Sequence, residues 1–425
     1  MRILLVTTNV PVPYSRNGNA QRSTLLMEAL SAFGEVDLFL IGNHELFEGD
    51  PYKKCLGDTR FSVAGHAIIR YGRRAEPWNT AAKVLPGPFG GNIAKTLARR
   101  KGAYLADEKT RDWMIEKTQD GTYDLVVSRY LRTAMYVGLD AVRDVPVLVD
   151  VDDIDWRLLE SMLTDQPWPG LGGRVGSNLS MRLVERLCRQ ALRQFTYLWS
   201  ASDEDAATIG MDNCIVLPNI AYPWKKDRPA NRPAVAQDPA RLLFVGELGW
   251  APNSEGIDRF VERIWPRVRE ACPEAVFEIV GQSMTPERRE RWGKHPGVEP
   301  VGFVDDLNDA YARATFTLAP IYQGAGTNIK VLESLSFGRT VALSEHGLRG
   351  FHDHLHHRDT VWLGKTDEEF AEGCIELIRN PELRAAMEAK GREVIADHYS
   401  PEVFNRAVAE VVERVLPAKV TAAPA

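Results

Sequence analysis

Short apolar runs, each about the length of a strand, alternate along the chain with longer stretches whose apolar positions recur three and four residues apart. Ile3–Val6 reads as a buried strand. A loop over Thr8–Asn19 follows, then a helix over Ala20–Phe33 with Leu25, Leu26, Ala29 and Leu30 on one face. Val36–Ile41, Ala67–Ile69, Asp124–Val127, Val145–Val149 and Cys214–Leu217 are further predicted strands, and helices are expected over Gly91–Lys117 and Val175–Leu198. Apolar strands separated by helices predict a parallel sheet covered on both faces.

The rhythm breaks over Tyr222–Ala240, which holds Pro223, Pro229, Pro233 and Pro239 and few apolar residues, and reads as an interdomain linker. It then restarts. Strands are predicted at Arg241–Val245, Val276–Val280, Val298–Val301, Thr315–Ala319 and Thr340–Leu343. Helices are predicted at Asn253–Glu270, Pro286–Trp292, Leu307–Ala314 and Thr327–Phe337, with a mostly helical tail from Asp367. The expected fold class is α/β, with two Rossmann-like, doubly wound domains facing a central cleft. The first spans residues 1–221, the linker 222–240 and the second 241–399, with a helix over 400–418 returning to the first. Doubly wound sheets take ligands at the C-terminal ends of their strands, so the strand-end loops are where chemistry is sought.

Composition narrows the function classes. A chain of 425 residues suggests two domains, and 44% hydrophobic with 26% charged residues is ordinary for a globular protein. A formal charge of −6 does not favour nucleic acid as a partner. Cys55, Cys188, Cys214, Cys272 and Cys374 are scattered and lack metal-ligand spacing, so they read as reduced thiols of a cytoplasmic protein. The opening MRILLVTTNVPVP is too short and too broken by proline for a signal peptide, and no run of about eighteen apolar residues would span a membrane. Any membrane contact is therefore expected to be peripheral, on the inner face.

The most informative stretch is Gly324-Ala325-Gly326-Thr327-Asn328-Ile329-Lys330-Val331-Leu332-Glu333. A strand ends before it, and a helix begins within it. Free N–H groups at a helix start suit a phosphate, glycines admit close approach, and Thr327 or Asn328 could cap the helix. Lys330 falls in the first turn. Ile329, Val331, Leu332 and Leu335 form an apolar arc that leaves Lys330 and Glu333 on the other side. A carboxylate one turn beyond a phosphate site is suited to accept hydrogen bonds from two ribose hydroxyls. The competing reading is an exposed Lys–Glu pair on a surface helix.

Residues 244–351 resemble the C-terminal domain of retaining glycosyltransferase family 4, of GT-B fold. FVGELGWAPNSEGIDRFVERIWPRV, FEIVG, VGFVDDLNDAYARATFTLAPI and GAGTNIKVLESLSFGRTVALSEHGLRGF carry the likeness. Residues 324–333 fit the G-x-G-T-x-x-K-x-x-E pattern of one branch. The first half is similar more weakly, through Gly18, LVDVDDID, SASDEDA and VLPNI. The resemblance implies that Glu333 binds the ribose, and that Lys330 with the backbone of Gly326, Thr327 and Asn328 holds a diphosphate. It further implies that Gly246 approaches the phosphates, that the backbone of Gly302, Phe303 and Val304 reads the base, and that Gly18 faces the diphosphate. Ala325 stands where many members have a second glutamate, and Glu247 and Asn253 stand where many have Arg and Lys.

Asp150-Val151-Asp152-Asp153-Ile154-Asp155 ends a strand and could pass for a metal-binding DxD sequence. The resemblance implies no catalytic metal and aligns Asp152 with a histidine near the donor sugar. Asp152 or Asp153 is then a candidate to touch donor or acceptor hydroxyls, against a plain role in helix capping or solvation. His346 is a cleft-edge candidate or a solvated loop residue, and His352, His354, His356 and His357 read as a polar loop. Residues 70–111, with ten Lys/Arg against three Asp/Glu, suggest contact with an anionic membrane or a lipid-linked acceptor, or else a solvated helix face.

The combined expectation is a hexosyltransferase-type retaining glycosyltransferase of surface polysaccharide or glycoconjugate synthesis. It would move a sugar from a UDP- or GDP-linked donor to a glycan or lipid-linked acceptor with no other cofactor, and Asp152, Lys330 and Glu333 would be its catalytic residues. A nucleotide-sugar 2-epimerase of the same fold and a non-catalytic glycan-binding or scaffold protein are the alternatives.

Overall fold

The computed structural model describes residues 1–15, 17–68, 108–157, 160, 181–182, 184–222, 239–324 and 326–416. The chain forms two compact units, Met1–Leu217 with Asn405–Ala425, and Pro218–Phe404. Local bonding explains the division. The Leu217 N–H bonds to the Ser200 carbonyl (2.8 Å) and the Leu217 carbonyl accepts from Arg22 (2.9 Å), whereas Asn219 donates to Thr327 (2.7 Å).

The first unit is a seven-stranded sheet of β1 (Arg2–Thr7), β2 (Glu35–Gly42), β3 (Ser62–Ile68), β4 (Leu125–Arg129), β5 (Val147–Asp150), β6 (Tyr197–Ser200) and β7 (Cys214–Val216), in the order β3-β2-β1-β4-β5-β6-β7. All pairs are parallel. β1, β4 and β5 are buried almost throughout, as a sheet covered on both faces requires. Leu4, Val126, Val149, Leu192 and Ile209 belong to its core. The predicted Val175–Leu198 helix needs correction at its end. Helix continues only to residue 192, and Tyr197 and Leu198 open β6. Leu198 and Trp199 are apolar enough for either state, and parallel pairing with β5 and β7 settles it. Of the predicted Gly91–Lys117 helix, Glu108–Gln119 is helical, and the rest lies outside the described residues, as does most of the basic stretch 70–111. The predicted linker likewise lies largely outside them.

The second unit is a six-stranded parallel sheet of β8 (Arg241–Val245), β9 (Val276–Val280), β10 (Val298–Gly302), β11 (Phe316–Ala319), β12 (Val341–Ser344) and β13 (Trp362–Gly364), in the order β10-β9-β8-β11-β12-β13. Counted from β8, this is the 3-2-1-4-5-6 order of a dinucleotide-binding fold, and the chain reverses direction between β8 and β11. That reversal opens a crevice beyond the C-terminal ends of β8 and β11. A continuous helical stretch follows β8. Its Ala251–Arg259 segment passes through a π turn at Phe260–Ile264 before Trp265–Ala271. The π turn accommodates Pro266, whose ring would clash with the carbonyl four residues back in a regular helix. Phe260, Trp265, Phe277 and Phe370 pack ring against ring beneath it.

Candidate functional site

In the second unit the crevice is built from close backbone approaches that only glycine permits. Gly256 lies against the end of β11, where a Cβ would fall 1.8 Å from the Pro320 carbonyl oxygen. Gly246, just past β8, donates to the Val280 carbonyl (3.1 Å), and a Cβ there would crowd Asn253 and the Phe244 ring at 3.1 Å. Gly324 and Gly326 have φ of +115° and +77°, which L side chains rarely adopt, and Gly324 lies over Pro252. The β8 and β11 loops are thus pressed together, and two helices start beside them, Ala251–Arg259 and Ile329–Ser336. Asn253, at the position where the resemblance expects Lys, is buried and donates to the Glu247 carbonyl (2.8 Å). It braces the loop and carries no charge.

The helix over Ile329–Ser336 starts two residues later than the glycine pattern predicts, and no side chain caps its first turn. Thr327 and Asn328 are used otherwise. Thr327 Oγ1 accepts from Asn219 (2.7 Å), while Asn328 Nδ2 donates to the carbonyls of His346 and Gly347 (both 3.3 Å). His346 in turn bonds the Gly324 carbonyl through Nε2 (3.0 Å). His346 is therefore tied to the glycine loop and is not merely solvated. No side chain caps this helix start, and the axial dipole favours an anion there.

Lys330 lies in that first turn, partly buried. Its Nζ reaches Asn328 Oδ1 (3.4 Å) and lies 5.9 Å from the centre of the Phe244 ring. Burial pulls its pKa down to about 8, partly offset by the Glu333 carboxylate. Glu333 departs from the exposed-pair reading, being only 8% exposed. Tyr311 donates its phenolic hydrogen to Glu333 Oε2 at 3.1 Å. The helix therefore turns Lys330 and Glu333 toward groups of its own unit, and a surface Lys–Glu pair does not describe them. At the end of β10, Gly302 (φ +88°) accepts from the Gly281 N–H (2.9 Å), Val304 packs on the Leu243–Tyr311 cluster, and the Phe303 ring is 56% exposed.

In the first unit the reversal falls between β1 and β4. Gly18 does not lie in the expected loop but begins the Gly18–Ser31 helix, because Asn17 accepts the Ala20 N–H (2.8 Å) and caps it two residues earlier than expected. Asp152 (φ +38°) and Asp150 share two buried arginines. Arg22 forks onto both oxygens of Asp150 (2.8 and 2.9 Å), and Arg129 bonds Asp150 and Asp152, the latter at 2.9 Å. Asp152 thus sits in a charged lattice that the sequence did not reveal, since Arg22 and Arg129 lie far away in the chain. Asp155 pairs with Arg132 (3.1 Å). Burial, then the Asp152 charge, pushes the Asp153 carboxyl up to about 6.

Among the described residues, no group of three or more His, Cys, Asp or Glu is placed to hold a metal ion. The histidines of 352–357 go separate ways: His354 stacks on His398 (3.8 Å) and His357 accepts from the Leu363 N–H (3.1 Å). Among the described residues, no helix is long and apolar enough to cross a membrane.

Residues 239–380 match the family described as glycosyl transferases group 1. The matched residues lie within the second unit. The match includes β8, the glycine loop, Lys330 and Glu333. The whole chain has the two-domain GT-B architecture of several solved structures. Anabaena HepE in complex with UDP and glucose is similar at 12% identity, covering 97% of this chain and 99% of that one, with a TM-score of 0.61. A glycosyltransferase from Rickettsia africae is similar at 12% identity over 98% of each chain, with a TM-score of 0.64. The sucrose-phosphate synthase of Thermosynechococcus elongatus is 16% identical over 98% of this chain and 99% of that one, at a TM-score of 0.62. A search of curated protein sequences gives no match.

Proposed function

We propose that the protein is a retaining glycosyltransferase that transfers a sugar, of the hexose type, from a nucleoside-diphosphate donor to a glycan or lipid-linked hydroxyl acceptor. The observation that carries this reading is the corner formed by β11, the glycine loop and the helix. There an uncapped helix start, Lys330 and the buried Glu333 carboxylate lie in succession, an order that suits a diphosphate followed by a ribose. The glycosyl transferases group 1 domain supports it. HepE, which has the same fold, binds UDP, which makes UDP the first nucleotide to test ahead of GDP.

In this reading Gly326, Thr327, Asn328 and Lys330 hold the diphosphate and Gly246 leaves room for it. Gly302, Phe303 and Val304 receive the base, and Glu333 accepts the ribose hydroxyls. As the glycosidic bond breaks, negative charge grows on the leaving phosphate while the sugar becomes oxocarbenium-like. Donors fixed in advance at the helix start, together with Lys330, stabilise that charge without reorganising. Departure and attack on one face of the sugar need no protein nucleophile, and retention follows. Gly18 and Asp152 are the contributions proposed from the first unit. The proposed setting is surface polysaccharide or glycoconjugate synthesis in the cytoplasm, at the inner membrane face where the acceptor is lipid-linked.

A thermal-shift panel of UDP, GDP, ADP and dTDP and their sugars tests the donor reading, because a ligand that binds only the folded state raises the melting temperature. Glu333→Ala is expected to abolish the shift and reduce turnover at least a hundredfold. No shift with any nucleotide, together with no donor consumed, would overturn the reading.

A further inference from the structure

Glu333 gains its orientation from a residue 22 positions earlier. Tyr311 is 2% exposed and lies in the Leu307–Arg313 helix, which ends where β11 begins. Three independent restraints fix it. Its ring stacks face to face on Phe337, with centroids 4.1 Å apart and planes within 6°. Its carbonyl accepts from Arg339 Nε (2.9 Å), and the same guanidinium bonds the carbonyls of Ala312 (3.1 Å) and Gly338 (3.4 Å). Its hydroxyl donates to Glu333 Oε2 (3.1 Å). Phe337 and Arg339 follow directly on the helix that carries Glu333. The phenol is therefore anchored to the same short segment whose carboxylate it holds, and the segment cannot shift without carrying its brace along.

We infer that Tyr311 is a positioning residue for nucleotide recognition. It holds the Glu333 carboxylate in one rotamer, so that this group selects a ribose. This rests on the proposed role of Glu333. A donor hydrogen bond to an ionised carboxylate favours the charged form and is stronger than one between neutral groups. A rotamer fixed before binding also lowers the ordering cost of binding. Arg339 acts one step further back. It is 2% exposed, and by tying the end of one helix to the turn after the other it sets where the phenol points.

The test compares UDP with 2′-deoxy-UDP by isothermal titration calorimetry, on the whole chain, for the wild type, Glu333→Gln, Tyr311→Phe and Phe337→Leu. Tyr311→Phe keeps the stack and removes only the hydroxyl. The wild type is expected to prefer UDP. Tyr311→Phe should lose about tenfold in UDP affinity, in line with a hydrogen bond to a charged group, and should lose most of its preference for UDP over the deoxy analogue. A purely structural role would weaken both nucleotides alike and leave that preference unchanged. Phe337→Leu, which frees the ring but keeps the hydroxyl, should fall between the two. If the wild type discriminates and Tyr311→Phe discriminates equally, the positioning role is overturned while the Glu333 reading stands. If the wild type and Glu333→Gln treat the two nucleotides alike, the Glu333 reading fails and the inference fails with it.

Discussion

With Lys330 at the diphosphate, as proposed, nucleotide binding would be a proton-linked event. Burial lowers its pKa to about 8, the nearby Glu333 carboxylate working the other way. An ammonium titrating there is about nine-tenths charged at pH 7 and about one-tenth charged at pH 9. Above pH 7 the terminal phosphate of UDP is already more than about nine-tenths ionised, so it contributes little to the change. If the diphosphate binds only the charged form, affinity should fall about tenfold between pH 7 and 9. The bound anion raises the lysine pKa, so binding near pH 8 should take up about half a proton. Calorimetry at pH 8 in two buffers of different ionisation enthalpy counts that proton directly. Lys330→Arg keeps the charge at every pH and should flatten the profile, at some cost in absolute affinity because the planar guanidinium does not fill an ammonium's place. An affinity that stays level from pH 7 to 9 with no proton uptake would refute the placement of Lys330 at the diphosphate.

Three further substitutions test the frame around the sites. Asp150 is fully buried between Arg22 and Arg129, so Asp150→Asn should destabilise the first unit by about 3–5 kcal/mol, and Asp152→Asn should cost less because Asp150 still neutralises Arg129; urea unfolding measures both, and equal losses would contradict the sharing. Gly256→Ala drives a methyl group into the Pro320 carbonyl, which should cost about 3 kcal/mol and weaken UDP binding together with stability; a variant as stable and as tight as the wild type would show that the β11 loop can retreat without consequence.

Periodicity and glycine placement alone mark out the two α/β halves, most of the strands and the strand–glycine–helix corner. These are local quantities. A strand buried on both faces must be apolar throughout, and a backbone that turns to positive φ at positions 324 and 326 needs glycine whatever surrounds it. Short elements defined by partners escape such signals. β13 has three residues and exists because it pairs with β12, and Tyr197 and Leu198 become strand through β5 and β7. The side-chain chemistry of the candidate sites is less local still. Helical spacing puts Lys330 and Glu333 one turn apart, and it is tertiary packing that buries Glu333 and brings Tyr311 to it from 22 residues away. Asn219, His346, Arg22 and Arg129 likewise acquire their roles from contacts over 18 to 195 residues of chain. Asp152 is legible as a strand-end carboxylate, and only the folded chain makes it an ion-paired one. Sequence carries the backbone's requirements position by position, whereas the electrostatic state of a side chain depends on neighbours that the fold selects.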